Sequence, residues 1–200
     1  MADSIKSIIE NRLRAANASD VFGIPDFLDI ADYETVRKTL FRFEKEGLLR
    51  RILPGVYDRP QYSELLKEHI VPSMHQIAIT LARNYNWTIA PSGETALNQL
   101  GLSTQVSAKW SYISDGPYRT YVIGNSEIEF KHRNNKVISG MSYKTAMVIQ
   151  ALKALGKKRI DDTTIKKMQL QLTDAEKSNL LRESQQTTIW IYSAIKRICA

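Results

Sequence analysis

One helical segment, DYETVRKTLFRFEKEGLL, constrains the fold more than any other part of this chain. Asp32 stands where an N-cap is needed, and Gly47 is placed to end the helix in the left-handed conformation. The apolar residues that recur at the spacing of one helix face are Val36, Leu40 and Phe43. A helix with one apolar face is stable only when that face is buried, so a folded domain is predicted around it.

The next segment, RRILPGVYDRP, predicts a basic β-hairpin. Pro54 presets the first central position of a turn, and Gly55 supplies the positive φ of the second. Three arginines bracket this turn, and Asp58 is the only acidic residue of the segment. The excess of positive charge indicates that the hairpin binds an anionic partner.

Two shorter helices are predicted before the long one. Apolar residues at helical spacing predict a first helix from about Ser4 to Ala16, with Asp3 or Ser4 as its cap. The segment GIPDFLDI, with Pro25 at an early position, predicts a short second helix that ends near Ala31. Three helices followed by a basic hairpin are the order of a winged helix-turn-helix domain, which is predicted at residues 1–60.

The third helix and the hairpin carry the candidate DNA-binding residues. At about 100° per residue from Val36, the basic residues of this helix lie on the face away from the apolar one or at its border. Arg and Lys can reach guanine edges or phosphates there, and Tyr can bond a phosphate oxygen. The predicted set is Tyr33, Arg37, Lys38, Arg42, Lys45, Arg50, Arg51 and Arg59. The alternative is a solvated helix face next to an edge strand protected by charge.

The distribution of charge favours a polyanionic partner. The net charge is +7 and the sequence pI is about 9.4. Residues 1–32 contain three basic and six acidic residues, whereas residues 33–60 contain seven basic and four acidic ones. Residues 61–200 carry the whole excess, most visibly in KALGKKR and TIKKM, so a second basic surface is expected there.

Residues 61–200 are predicted to form a mixed second domain, which makes the whole chain α+β. The segment YSELLKEHIVPSMHQIAITLARNYN predicts helical structure with a break before Pro72. The segment PSGETALNQLGL predicts a further helix, with Ser92 as its cap and Gly101 as its stop.

The strands of this second domain are predicted between Lys109 and Ile138. Three strand-like segments separated by turn residues predict an antiparallel β-meander. After Gly140 the helical pattern returns, and Thr173 with Glu176 forms a capping box before the last predicted helix.

Four segments resemble the AbiEi-type antitoxins of bacterial type IV toxin–antitoxin systems: VRKTLFRFEKEGLLRRILPGVYDRP, WTIAPSGETALNQLGLSTQ, YISDGPYRTYVIGNSEIEFKH and IQALKALG. The resemblance runs from about Val21 to Gly156, and it is to the compact branch of that family. It implies an N-terminal winged helix that represses its own operon and a C-terminal domain that counteracts a nucleotidyltransferase toxin. By this resemblance, the DNA-reading helix and the wing contain the contact residues Arg37, Lys38, Arg50 and Arg51. A stand-alone winged-helix transcriptional regulator is the alternative.

A second alternative is a magnesium-dependent nuclease. Asp115, Glu129 and Lys131 resemble the acidic pair and the lysine with which restriction-type nucleases hold the metal and stabilise developing charge. Alternation along a half-buried strand explains Glu129 and Lys131 equally well without chemistry. The sequence therefore favours a regulator that is not an enzyme.

RNA contact is a further open alternative. The aromatic residues that could stack on single-stranded bases are Trp87, Trp110, Tyr112 and Tyr121. Such residues more often belong to a hydrophobic core.

No cofactor or metal site is expected. Cys199 is the only cysteine, which excludes an intramolecular disulfide and a cysteine-based zinc site. The three histidines do not share the i, i+4 spacing of a helical metal site. No apolar run resembles a signal peptide or a membrane span, so a cytoplasmic protein without membrane contact is expected.

Overall fold

The computed structural model describes residues 4–17, 20–65, 67–105, 107–134 and 140–200, and it has the predicted α+β class. The chain forms two compact units, one through Trp87 and one from Thr88 to Ala200. The predicted domain boundary at Pro60 therefore lies inside the first unit. Asp3 and positions 135–138, where a helix cap and the end of the strand region were predicted, lie outside the described residues.

The first unit has an element order and sheet compatible with a winged helix. Its elements are α1 (Ile5–Ala15), β1 (Val21–Gly23), a 3-10 helix (Ile24–Phe27), α2 (Tyr33–Lys45), β2 (Arg50–Leu53), β3 (Val56–Asp58), β4 (Tyr62–Ser63), β5 (Glu68–His69) and α3 (Met74–Tyr85). Strand β3 pairs antiparallel with both β1 and β2, which gives the sheet order β1-β3-β2. The hairpin β2–β3 is the element that corresponds to a wing.

Helix α2 forms where it was predicted, for the predicted reasons. Asp32 caps it by accepting hydrogen bonds from the backbone N–H of Thr35 at 3.1 Å and from the hydroxyl of Thr35 at 2.7 Å. The residues of its apolar face are fully buried: Val36, Leu40 and Phe43. Gly47 has φ 76°, the left-handed conformation expected after a helix end. The first helix is also confirmed, with Ser4 as its cap.

The predicted second helix is shorter than expected. Only Ile24–Phe27 is helical, and it is a 3-10 helix whose first turn is held by Asp26, which accepts from Gly23 N at 2.8 Å. Ile30 N and Ala31 N then bond to Phe27 O, so the chain closes a turn instead of extending the helix to Ala31.

The hairpin β2–β3 contains a bulge. Arg50 lies opposite Asp58 and Arg51 opposite Tyr57, but Leu53 lies opposite Val56, so one extra residue stands on the β2 side between Arg51 and Leu53. The turn between the strands is the predicted one, since Gly55 has φ 75°.

Helix α3 explains why the first unit continues beyond Pro60. Thr80 Oγ1 donates to Val21 O in β1 at 3.1 Å, and Asn84 Nδ2 donates to Gly55 O in the hairpin turn at 2.8 Å. Gly23 makes the second contact possible, because a Cβ at this position would lie 2.1 Å from Asn84 Oδ1. Segment 62–71 was predicted to be helical. Its described residues instead include the short strand pair β4–β5, and α3 begins only after Pro72.

The second unit combines a four-stranded sheet with helices. Its elements are β6 (Ile89–Pro91), α4 (Glu94–Gln99), β7 (Lys109–Ser114), β8 (Arg119–Ile123), β9 (Ser126–His132), α5 (Tyr143–Leu155), a 3-10 helix (Lys157–Arg159), α6 (Asp162–Leu170), α7 (Asp174–Glu183) and α8 (Ile189–Cys199). A core of buried apolar residues from α4 to α8 joins the helices.

The predicted antiparallel meander is wrong in its strand order. The order is β6-β7-β9-β8, and β9 pairs parallel with β7 and antiparallel with β8. The three predicted strands exist, but β9 lies between the other two. This follows from burial, because Ile128 and Phe130 of β9 are fully buried, whereas β8 is mostly exposed and takes the edge.

Two details of the predicted helices change in the second unit. Gly93 occupies the N-cap position of α4, and the predicted cap Ser92 precedes it. The capping box of Thr173 and Glu176 is confirmed at the start of α7, but α7 is not the last helix as predicted, because α8 follows it. Among the described residues, no helix has both the length and the apolar content needed to cross a membrane.

Candidate nucleic-acid interface

Helix α2 exposes two stripes of side chains to solvent. One consists of Tyr33, Arg37 and Phe41, spaced four residues apart, and Lys45 Nζ lies 5.4 Å from the centre of the Phe41 ring. The other, called here the outward stripe, consists of Lys38 and Arg42. Among the residues that the structure describes, neither Lys38 nor Arg42 forms an ion pair. The predicted outward residues of α2 are thus exposed, but they divide into a partly aromatic stripe and a cationic one.

Arg37 is held by an acidic neighbour on its own helix. Its guanidinium donates to Glu34 at 2.8 Å, and both side chains are more than half exposed. This hydrogen bond lowers the pKa of Glu34 below its ordinary value. An exposed pair of this kind is worth little to stability, so Arg37 can exchange its partner for a nucleic-acid group at small cost.

Arg50, a predicted hairpin contact, is held inside the protein. Its Nε donates to Asp58 Oδ1 at 3.0 Å, and a terminal nitrogen donates to Ile70 O at 2.9 Å. Asp58 is only 3% exposed, so the guanidinium balances a buried carboxylate. The structure thus gives Arg50 a stabilising role, and its phosphate contact stays a prediction.

Arg59 is likewise engaged by the protein. One of its nitrogens donates to three carbonyl groups at the end of α1, those of Leu13, Arg14 and Ala16, at 2.8–3.2 Å. Carbonyls in the last turn of a helix lack intrahelical partners, and a cation satisfies them well. Arg59 therefore connects α1 to the end of the hairpin, and its contact with DNA stays a prediction.

Arg51 differs from its neighbour Arg50 because it points into a cleft of the first unit. The cleft has a volume of about 470 Å³ and lies between α2, the hairpin turn and the end of α3. Side chains that line it include four aromatic rings and two guanidinium groups, from Tyr33, Phe41, Tyr57, Tyr85, Arg37 and Arg51. Burial raises the pKa of Tyr57, and the positive charges of Arg51 and Arg37 act against that rise.

The cleft could not be predicted from the sequence. Tyr85 and Asn84 lie on α3, beyond the predicted domain boundary, and they reach the hairpin only through the packing of α3 on β1. One signal was present, because Tyr33 and Phe41 stand on the same exposed side of α2 as Arg37. Exposed aromatic residues at helical spacing next to a cation are typical of a binding surface.

The three residues of the nuclease alternative are not arranged as a metal site. Glu129 accepts from Tyr118 at 2.7 Å, and the amino groups of Lys109 and Lys131 each lie 3.1 Å from its oxygens. Asp115 accepts from Thr88 N at 2.8 Å and thereby fixes the start of β6. Among the described residues, no three metal-ligating side chains cluster. These contacts give Glu129 and Asp115 structural roles.

The aromatic residues considered for RNA contact are divided between the two units. Trp87 stacks on Tyr85 in the first unit, with ring centres 4.7 Å apart. Tyr112 is fully buried in the second unit, and Tyr121 contacts the edge of the buried Phe130 ring. Tyr112 is therefore a core residue, and RNA contact remains a prediction without geometric support.

The fold and this surface define an α+β protein whose first unit has a winged-helix arrangement and a cationic helix next to an aromatic cleft. The chain belongs to DUF6088, a family of unknown function, whose sequence model matches residues 8–180. No curated protein matches the chain. Membership of this family assigns no activity, so function has to be inferred from the surface.

Proposed function

We propose that the protein is a regulator that binds duplex operator DNA with α2 and the hairpin β2–β3. The observation that carries this proposal is the outward stripe of α2, with Lys38 and Arg42, beside a hairpin on which Arg51 is exposed. A helix with this charge fits the major groove, and a hairpin beside it can reach the neighbouring backbone. Arg37, which gives up little when it leaves Glu34, is the candidate for reading a base.

The test is the loss of the outward stripe. In Lys38→Ala/Arg42→Ala, affinity for the DNA upstream of the protein's own gene should fall about tenfold or more, because two phosphate contacts are lost. The slope of log K against log salt should fall by roughly two. Gel-shift titrations at several salt concentrations measure both quantities.

The matched control removes the same charge from the second unit. Lys166 and Lys167 are adjacent and exposed on α6, and their double alanine variant should bind as the unchanged protein does. Equal losses in the two double variants would mean that overall charge, and not α2, causes binding, and the proposal would then be rejected.

We also propose that this regulator is an antitoxin of a type IV toxin–antitoxin system. The support is the sequence resemblance described above together with the two-unit organisation, in which a second unit is available for a task other than DNA binding. The partner would be a nucleotidyltransferase toxin, acted on directly or through its nucleic-acid substrate. The excess positive charge of residues 61–200 is suited to either kind of partner.

Growth of cells that express the neighbouring toxin gene tests this assignment. Full-length protein and residues 88–200 should both restore growth, whereas residues 1–87 should bind DNA without restoring it. If neither full-length protein nor folded residues 88–200 restore growth, the protein acts as a stand-alone regulator.

A further inference from the structure

The cleft of the first unit has features that duplex binding does not require. Three of its aromatic residues remain strongly exposed: Tyr33 at 55%, Phe41 at 49% and Tyr85 at 44%. Contacts to a duplex backbone need donors and cations, and exposed aromatic rings contribute little to them. Several such rings around one concave surface indicate a ligand with a flat apolar part.

The polar groups of the cleft indicate that the ligand is also an anion. Arg51 lies opposite Tyr57 in the hairpin, and Arg37 lines the same cleft from α2. Two guanidinium groups that line one cleft from different elements suit a phosphate, which each can bind through paired N–H donors. Arg51 forms no ion pair with any of the described residues, so its charge is available to a ligand.

The size and the stiffness of the cleft restrict the ligand further. A volume of about 470 Å³ falls within the range of sites for small molecules. The wall formed by the hairpin turn is held by the hydrogen bond from Asn84 to Gly55, and the wall formed by Tyr85 is held by its stacking on Trp87. The cleft is therefore preformed, which lowers the entropic cost of binding.

We propose that this cleft binds a single nucleotide, with its phosphate on Arg51 and Arg37 and its base against the exposed aromatic rings. The nucleotide has two conceivable sources, a free mononucleotide or one unit of a nucleic-acid strand, and the same chemistry serves both. Binding of a base to aromatic side chains is tolerant of sequence, so no base preference is implied. The inference goes beyond duplex recognition, because it assigns a separate ligand to the cleft. Arg37 and Arg51 would serve both proposals, so the cleft is tested on Arg51 and Tyr33, with probes other than duplex DNA, and not on the outward stripe.

The experiment is calorimetric titration of the full chain with the four ribonucleoside monophosphates and, separately, with a five-residue single-stranded oligonucleotide. At least one of these probes should bind, and adenosine and inorganic phosphate should each bind about tenfold or more weakly than adenosine monophosphate, because each makes half of the contacts. A mononucleotide that binds as tightly as the oligonucleotide identifies a free nucleotide as the ligand. Binding of the oligonucleotide alone identifies a strand.

Two variants and one control make the result specific. Arg51→Ala should weaken nucleotide binding about tenfold, and Tyr33→Leu, which keeps an apolar side chain but removes the ring, should weaken it about fivefold. Arg182→Ala removes the same charge from the second unit, where this side chain is 73% exposed, and should leave nucleotide affinity unchanged. The proposal is overturned if none of the probes binds, or if Arg51→Ala and Arg182→Ala weaken binding equally. Failure of the duplex test leaves this result standing, because the two tests depend on different side chains.

Discussion

Replacing Arg50 by alanine is expected to lower the free energy of unfolding of the first unit by about 3 kcal/mol. Asp58 would keep its buried position and lose its cation, and an uncompensated buried carboxylate is among the most costly defects in a protein. The variant also loses the hydrogen bond to Ile70 O, which connects the hairpin to the segment after β5. Hydrogen exchange of amides in β2 and β3 measures the change locally, so the second unit does not interfere.

The adjacent arginine provides the control for this prediction. Arg51 is exposed on the same strand, and Arg51→Ala should change the free energy of unfolding by no more than about 0.5 kcal/mol. The two variants should separate stability from binding: Arg50→Ala unfolds more easily, whereas Arg51→Ala stays folded and loses its ligand. Equal stability of the two variants would show that the ion pair of Arg50 and Asp58 does not contribute to the free energy of unfolding. Arg50 could then leave Asp58 at little cost and contact DNA.

Replacing Glu129 by glutamine is expected to lower the free energy of unfolding of the second unit by about 2–3 kcal/mol at pH 7. Burial alone would raise the pKa of Glu129, but hydrogen bonds from Tyr118, Lys131 and Lys109 outweigh it and lower the pKa from 4.5 to about 2. A carboxyl group whose pKa is lower in the folded state than in the unfolded state stabilises the folded state at pH values above its unfolded pKa. This contribution is therefore fully present above about pH 4.5 and is lost as the pH falls toward 2.

Urea unfolding at a series of pH values tests the Glu129 prediction. The difference between the unchanged protein and Glu129→Gln should be largest near pH 7 and should shrink steadily below pH 4.5. Glu127→Gln is the matched control, because Glu127 contacts the same Lys109 at 3.1 Å but is 36% exposed. Its effect should stay within about 0.5 kcal/mol. A difference for Glu129→Gln that does not vary with pH would refute the electrostatic explanation.

Local signals were sufficient to predict the elements of the first unit that determine its class. Helix α2 has a cap at Asp32, a stop at Gly47 and a regular apolar face, and all three act within one segment. The turn at Pro54 and Gly55 is equally local. These features do not depend on which distant element packs against them, so the sequence alone was enough to predict them.

Features that depend on distant partners could not be predicted in the same way. Arg59 finds its acceptors in α1, more than forty positions earlier, and no periodic pattern indicates such a contact. The sheet of the second unit shows the same limit. Each strand was visible, but the central place of β9 follows from a comparison of burial among β7, β8 and β9 that only the packed structure supplies.

The bulge in β2 has a consequence for anyone who aligns this hairpin with a relative or transplants it onto another scaffold. Side chains alternate between the two faces of a strand, so regular pairing continued from Leu53 and Val56 without the bulge would place each earlier residue of β2 one position further along β3. Arg51 would then stand opposite Asp58 and become the internal counter-charge, and Arg50 would take over the outward position. Composition and net charge would be the same, yet the two arginines would exchange their tasks. The position to match between hairpins is therefore the irregularity in the strand, and the arginines should be assigned only after it has been located.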